Sequence, residues 1–381
     1  MSNLILHRHI PVAKPFLAPN TVEYVSDALE KIELSGNYGS YIPTFEKNFA
    51  VFCDAKFATT VSNGTCALHL ALASLGIGFG DEVLVQSLTN MATAFAVSYT
   101  GAVPIPVDID LDTWNISPHL LEGLITPKTK AILVVHIFGH PVDMDPILSI
   151  ARKHNLYVVE DCAEAHGAMY KNRKVGAIGD VGCFSFYANK IISTGEGGMV
   201  VTNSETLHKK MAALKSLSYG TGANRFMHEN IGFNYRLPNT IAAIGCAQME
   251  SVGYVIDQKR YIASFYQSEL AGISGVQLPV ELSYAYNVYW MYHILLVGGL
   301  KGKRQAIMDG LQELGIETRV SFCPMNQQKV YLKSGNFKIE DCPNANYVGE
   351  NGFYLPSGPI INNQELQYVV DCLKSLIPNY R

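Results

Sequence analysis

Two apolar runs, "AILVV" at residues 131–135 and "LYVVE" at 156–160, constrain this chain most. Neither shows the polar alternation of a strand with one wet face, so each reads as a strand buried on both sides. Between them, "MDPILSIARKHN" carries apolar residues at helical spacing. Strand, helix and strand in that order make a parallel unit, and the pattern extends in both directions. Upstream, "KFATTVS", "DEVLVQS" and "VPIPVDID" read as strands, while "TCALHLALASLG", "NMATAFAVSYTG" and "SPHLLEGL" read as helices. Two helical patterns come first: "NTVEYVSDALEKI" from a cap at Asn20, and "TFEKNFAVFC" after a proline turn.

Downstream, the strand "GGMVVTN" and the helix "ETLHKKMAALKSL" precede a long helical region, "TIAAIGCAQMESVGYVIDQKRYIASFYQSELAG". Shorter elements follow: "YWMYHILLV", "KRQAIMDGLQELG", "IETRVSF" and "QELQYVVDCLKSLI". The order predicts an α/β protein with a mostly parallel sheet in a large domain, residues 1–250. Residues 251–381 are expected to form a linking helix and a smaller C-terminal α+β domain.

Composition narrows the function classes. A chain of 381 residues, 48% hydrophobic and 16% charged, has the makings of a sizeable core and not of a disordered segment. Its formal net charge is -4 and it has no basic block, which argues against nucleic acid as a partner. The eight cysteines form no C-x-x-C pair, and several sit in apolar runs such as "VGCFSF" and "AIGCAQ". They read as buried thiols of a reducing compartment. The first residues, "MSNLILHRHIPVAKP", lack a signal-peptide pattern, and no run approaches the ~20 apolar residues of a membrane span. A soluble, cytoplasmic protein is the expectation.

Some motifs lead nowhere. "GIGFGDEV" follows a helix and precedes a strand, the reverse of a dinucleotide fingerprint. "HIFGH" spaces His136 and His140 by four but beside a strand end, which favours packing or a substrate hydrogen bond over a metal. No metal is expected.

Three other motifs are more pointed. In "SNGTCALHLAL" a strand ends, Ser62–Thr65 turn and a helix begins, so free amides and the Thr65 hydroxyl could cradle a phosphate. A plain capped helix is the commoner origin of such a turn. In "VVEDCAEAHG", Glu160 and Asp161 end a buried strand, where open α/β sheets bind ligands. A buried Asp161 needs a partner, either structural or a ligand nitrogen that must stay protonated. In "FSFYANKIISTGEGGMVV", Lys190 lies among apolar residues, a costly place for an amine unless it is neutralised or used. Together the three fit pyridoxal 5'-phosphate, with its phosphate at the helix start, its ring nitrogen at Asp161 and its aldehyde condensed with Lys190.

At this point the sequence resembles the nucleotide-sugar aminotransferases of the DegT group, and among them the perosamine-synthase-like enzymes that aminate a 4-keto-6-deoxy sugar. The resemblance runs from "GSYIPTFEKNFA" through "EDCAEAHGA", "SFYANKIISTGEGGMVVTN" and "GFNYRLPNTIAAIGCAQME" to "GIETRV" and "YLPSGP". It implies the fold-type-I aminotransferase fold, Lys190 as the internal aldimine lysine and Asp161 as partner of the ring nitrogen. It places Glu164 near the ring oxygen, and Gly64, Thr65 and Ser185 on the phosphate. Asn234 in "GFNYR" would reach the phosphate of a partner subunit, which implies a homodimer and leaves a tetramer open. Related dehydratases have histidine at the lysine position, and this chain keeps lysine. Two departures stand out: Asn90 follows "SLT" where the family has an aromatic ring to stack on the cofactor, and Asn326 stands where relatives often have histidine.

The activity these features imply is transfer of an amino group from an amino acid, in the first place glutamate, to a nucleotide-linked 4-keto-6-deoxy sugar for surface polysaccharide. Two rivals are a small phosphorylated ketone as acceptor, and a catalytically silent regulatory protein on the same fold.

Overall fold

The computed structural model describes residues 9–220, 222–333, 335 and 337–380. The N-terminal stretch "MSNLILHRHIPVAKP", which lacks a signal-peptide pattern, begins outside them. The first strands in chain order are β1 (Phe57–Val61), β2 (Glu82–Gln86), β3 (Val103–Val107), β4 (Thr129–Val135) and β5 (Tyr157–Asp161). The short β6 (Met169–Tyr170) and β7 (Arg173–Lys174) follow, then β8 (Val181–Ser185) and β9 (Gly198–Thr202). Seven of them make one sheet in the order β1-β9-β8-β5-β4-β2-β3. β9 runs antiparallel to both its neighbours and the remaining pairs are parallel, so six strands end at the same edge.

The central strands are buried as their apolar runs require, from Ala131 to Val135 and from Val158 to Asp161. Alternation assigns their side chains to two cores. Ala131, Leu133, Val135 and Val159 join the core containing α3 (Gly64–Ser74) and α4 (Met91–Tyr99). Ile132, Val134 and Val158 pack on Ile147 and Ala151 of the helix Met144–His154 on the opposite face. The helices α1 (Thr21–Glu30) and α2 (Tyr41–Phe52) lie against the long helix Asn239–Leu270. The helix read as "TFEKNFAVFC" starts earlier, at Tyr41, because Pro43 falls in the first turn, where a missing amide costs nothing.

A second sheet is entirely antiparallel. Its strands are β10 (Val276–Gln277), β12 (Tyr292–Leu296), β13 (Arg319–Val320) and β14 (Gly352–Leu355), in the order β10-β12-β14-β13, while β11 (Ala285–Tyr286) pairs with β6. Asn239–Leu270 is one continuous helix, so the division expected at residue 250 falls inside it. Its first half gives Ala242 and Cys246 to the large core, and its second half gives Ile262, Tyr266 and Leu270 to the core under the second sheet.

Of the short element "IETRVSF", a strand forms over Arg319–Val320. Six of the eight cysteines are buried, as the sequence reading expects. No helix among the described residues is long and apolar enough to cross a membrane.

The crossing of the long helix over α2 depends on a missing side chain. A β-carbon on Gly245 would lie 2.5 Å from Cε1 of Phe45, a fully buried ring with nowhere to go. Gly245→Ala should therefore destabilise the fold by about 1–3 kcal/mol, the usual cost of overpacking, seen as a lower denaturant midpoint at unchanged slope.

Candidate active site

The carboxyl ends of the parallel strands border a cleft of about 770 Å³, closed on its far side by Trp290, Phe322 and Tyr354 from the second sheet and its flanks. A larger cleft of about 980 Å³ opens at the amino ends of β4 and β5, between Lys130, Arg152 and Asp180, and contains none of the residues singled out in the sequence. The first cleft gathers Gly64, Thr65, Asn90, Asp161, Glu164, Ser185 and Lys190. Asn234 is not among its walls; it is exposed, on a segment bridged to Ser216.

The start of α3 is shaped for an anion. Asn63, in extended conformation, accepts the Cys66 amide at 2.9 Å and caps the helix. Gly64 and Thr65 then occupy the first two helical positions, whose amides have no intrahelical partner. A β-carbon on Gly64 would lie 2.7 Å from Cβ of Ser185, so glycine is what lets the helix start approach the end of β8. The Thr65 and Ser185 hydroxyls and two free amides thus face one small space.

Period two separates the paired carboxylates at the end of β5. Glu160 points away from the cleft, where it accepts the amides of Gly176, Ile178 and Gly179 at 2.6–2.8 Å and Nε2–H of His136 at 3.1 Å. His136 Nδ1 in turn accepts the Val142 amide at 3.0 Å. His136, Glu160 and Cys162 are close enough to suggest a metal, but these bonds occupy the imidazole and carboxylate atoms. His140 is likewise a packing residue, bonded to the Pro141 carbonyl at 2.8 Å and 3% exposed.

Asp161 faces the cleft. Its Oδ2 accepts the Thr93 hydroxyl at 2.8 Å and its Oδ1 the Ala163 amide at 3.1 Å. Burial raises its carboxyl above the ordinary range, and these two donors and the nearby Lys190 draw it part of the way back. A carboxylate can accept about four hydrogen bonds, so two sites are left.

Lys190 sits on the turn between β8 and β9, its amide bonded to the Tyr187 carbonyl at 2.9 Å. Its Nζ is 3.9 Å from Glu164 Oε1 and 3.8 Å from the centre of the Trp290 ring. Burial lowers the Lys190 amine, opposed by the charges of Glu164 and Asp161. Glu164, tied through Oε2 to the Phe138 amide at 2.8 Å, is pushed up by burial to about 7.

The two departures prove unlike each other. Asn90 caps α4, accepting the Ala92 amide at 3.0 Å, and its exposed side chain lies at the cleft wall. Asn326 is fully buried away from the cleft, accepting the Ser87 hydroxyl at 2.8 Å and donating to the Ile339 carbonyl at 2.6 Å. Sequence reasoning missed Thr93, Trp290, Arg319 and Tyr354. Thr93 alone left a signal, a hydroxyl one turn into the helix that follows "SLTN".

The profile of the DegT/DnrJ/EryC1/StrS aminotransferase family matches residues 17–374. GDP-perosamine synthase of Escherichia coli O157:H7 is 43% identical over 96% of this chain and 98% of its own. That of Caulobacter vibrioides is 42% identical over 97% and 98%. Among solved structures, S. venezuelae DesV in complex with a ketimine intermediate superposes with a TM-score of 0.88 at 33% identity, covering 94% of each chain.

Asn326→Ala should leave the buried Ser87 hydroxyl without its acceptor and cost about 1–3 kcal/mol of stability. Cofactor affinity, measured on the same preparation, should not change.

Proposed function

The chain belongs to the DegT/DnrJ/EryC1/StrS aminotransferase family, and we propose that it transfers an amino group from glutamate to a GDP-linked 4-keto-6-deoxy sugar. The observation that carries this reading is the 43% and 42% identity to two GDP-perosamine synthases, spanning almost the whole of each chain. The product is then a nucleotide-linked 4-amino-4,6-dideoxy sugar for surface polysaccharide, made by a soluble cytoplasmic enzyme.

Pyridoxal 5'-phosphate is the cofactor, and the chemistry it supplies when bound is an electron-accepting ring. The residues present fit it: a cradle that a β-carbon on Gly64 would fill, a buried carboxylate with unused acceptor sites, and an amine without a hydrogen bond among the described residues. In this reading the amides of Gly64 and Thr65 and the hydroxyls of Thr65 and Ser185 hold the phosphate. Asp161, fixed by Thr93 and Ala163, keeps the proton on the ring nitrogen. Glu164 would lie near the ring oxygen, and Asn90 would border the ring where relatives place an aromatic side chain. Lys190 Nζ takes the proton from the substrate carbon and returns it on the other side of the transfer. An amine with no structural bond in such a cleft argues against a silent protein.

Asn234 serves the phosphate of a partner subunit in this scheme, in a homodimer. Its exposure supports that role, as do the neighbouring Phe226, Met227 and Ile231, which are 76%, 69% and 90% exposed. The division into a large domain over 1–250 and a smaller one over 251–381 is likewise a proposal, with the helix Asn239–Leu270 shared between the two cores.

The acceptor is tested by comparing kcat/KM, with glutamate as donor, for nucleotide-linked 4-keto-6-deoxy sugars and small keto-phosphates. The GDP-linked sugar should be preferred by orders of magnitude; negligible turnover of every keto sugar beside a good keto-phosphate would reject it. Asp161→Asn keeps the volume and removes the charge. Because each pKa unit lost at the ring nitrogen is worth ~1.4 kcal/mol, proton abstraction should slow by at least a hundredfold in a single-turnover experiment with glutamate.

A further inference from the structure

We propose that Trp290 is the positioning residue of Lys190: its indole face is the seat that the charged amine takes whenever it is not bonded to the cofactor. The inference rests on Lys190 being the cofactor lysine.

Lys190 Nζ lies 3.8 Å from the centre of the Trp290 ring, close for a cation over an aromatic face. Its other charged contact, Glu164 Oε1, is at 3.9 Å, beyond hydrogen-bond reach. A short hydrogen bond would tether the amine in one direction. A π face attracts the cation without a directional bond, and the attraction grows when both are shielded from water. The amine is therefore kept at the cleft and left free to swing.

Trp290 is itself held rigidly. Its indole N–H donates to the carbonyl of Asn189 at 2.8 Å, next to the lysine it serves. Its own carbonyl accepts Nζ of Lys259 at 2.8 Å, and Lys259 also reaches the Ser357 carbonyl at 2.6 Å. Lys259 is 3% exposed and has no carboxylate partner among the described residues, an expensive arrangement that fixing Trp290 explains. Burial alone lowers its amine to about 7. The Trp290 backbone also abuts Gly139, where a β-carbon would come within 2.9 Å of the Trp290 nitrogen.

Around the Lys190 amine the charged and titratable groups are Glu164 and Asp161, with His166 two residues beyond Glu164. Arg319, Glu196 and the phenols Tyr99, Tyr187 and Tyr354 complete the charged and phenolic lining of the cleft. The two carboxylates favour a charged lysine with or without Trp290, so the contribution of the ring must be isolated by changing the ring.

The test uses cofactor-free protein mixed with pyridoxal phosphate, following capture by visible absorbance as a function of pH. Trp290→Phe keeps a π face; Trp290→Met has nearly the volume of Phe and none. The pH midpoint of the capture rate should lie about half to one unit lower in Trp290→Met than in wild type, with Trp290→Phe in between or unchanged. Equal midpoints in the Phe and Met variants, or a raised one in Met, would overturn the proposal. A readout in the intact site guards against a variant that does not fold. The chain has two tryptophans, so in Trp114→Phe the emission is that of Trp290. That emission should step at the capture midpoint and lose the step in the added Lys190→Met change; a step that persists would overturn the seat. Capture of cofactor by Lys190→Ala, fixed to another lysine by borohydride, would instead remove the reading on which the proposal rests.

Discussion

A carboxylate buried at the carboxyl end of β5 and left half satisfied organises this structure. Asp161 and Glu160 are sequence neighbours and both buried, yet four donors saturate Glu160 while two reach Asp161, which borders the cleft. Buried acceptor capacity left unused costs free energy, which an N–H brought by a ligand would recover. Thr93 and the Ala163 amide hold Asp161 in place, and the other residues of the cleft lie around it.

Their arrangement follows from the sheet. Six strands end on one edge, so the turn at Gly64, the Thr89–Thr93 stretch, Asp161 and Ser185 converge although more than a hundred residues separate the first from the last. The second sheet supplies the opposite wall, and the helix Asn239–Leu270, sharing both cores, sets one against the other. Lys259 ties that helix to Trp290, and Trp290 ties the second sheet to the turn of Lys190. Trp290 is thus held from both sides of the cleft, while the Lys190 amine beside it makes no hydrogen bond among the described residues.

The sheet was legible in the sequence because strands buried on both faces must read as unbroken apolar runs, as 131–135 and 156–160 do. Gly64, Asp161 and Lys190 were legible for a related reason: each is an anomaly at the end of a regular element. Trp290 and Tyr354 were not, since an aromatic residue in an apolar strand looks like core, and only the meeting of two sheets makes it a wall of the cleft. "GFYL" at 352–355 is too short to show a period. Asn326 drew attention as a departure from relatives, and its burial among Ser87, Ile339 and Asn346 shows that it supports the loop behind the cleft.

The most direct measurement of the central claim is the ¹⁵N chemical shift of the ring nitrogen in labelled pyridoxal phosphate bound to the protein. Asp161 held as described keeps that nitrogen protonated throughout the neutral pH range, and the signal should stay at the position of the protonated ring. A signal at the position of the free base, or one that titrates across that range, would contradict the account.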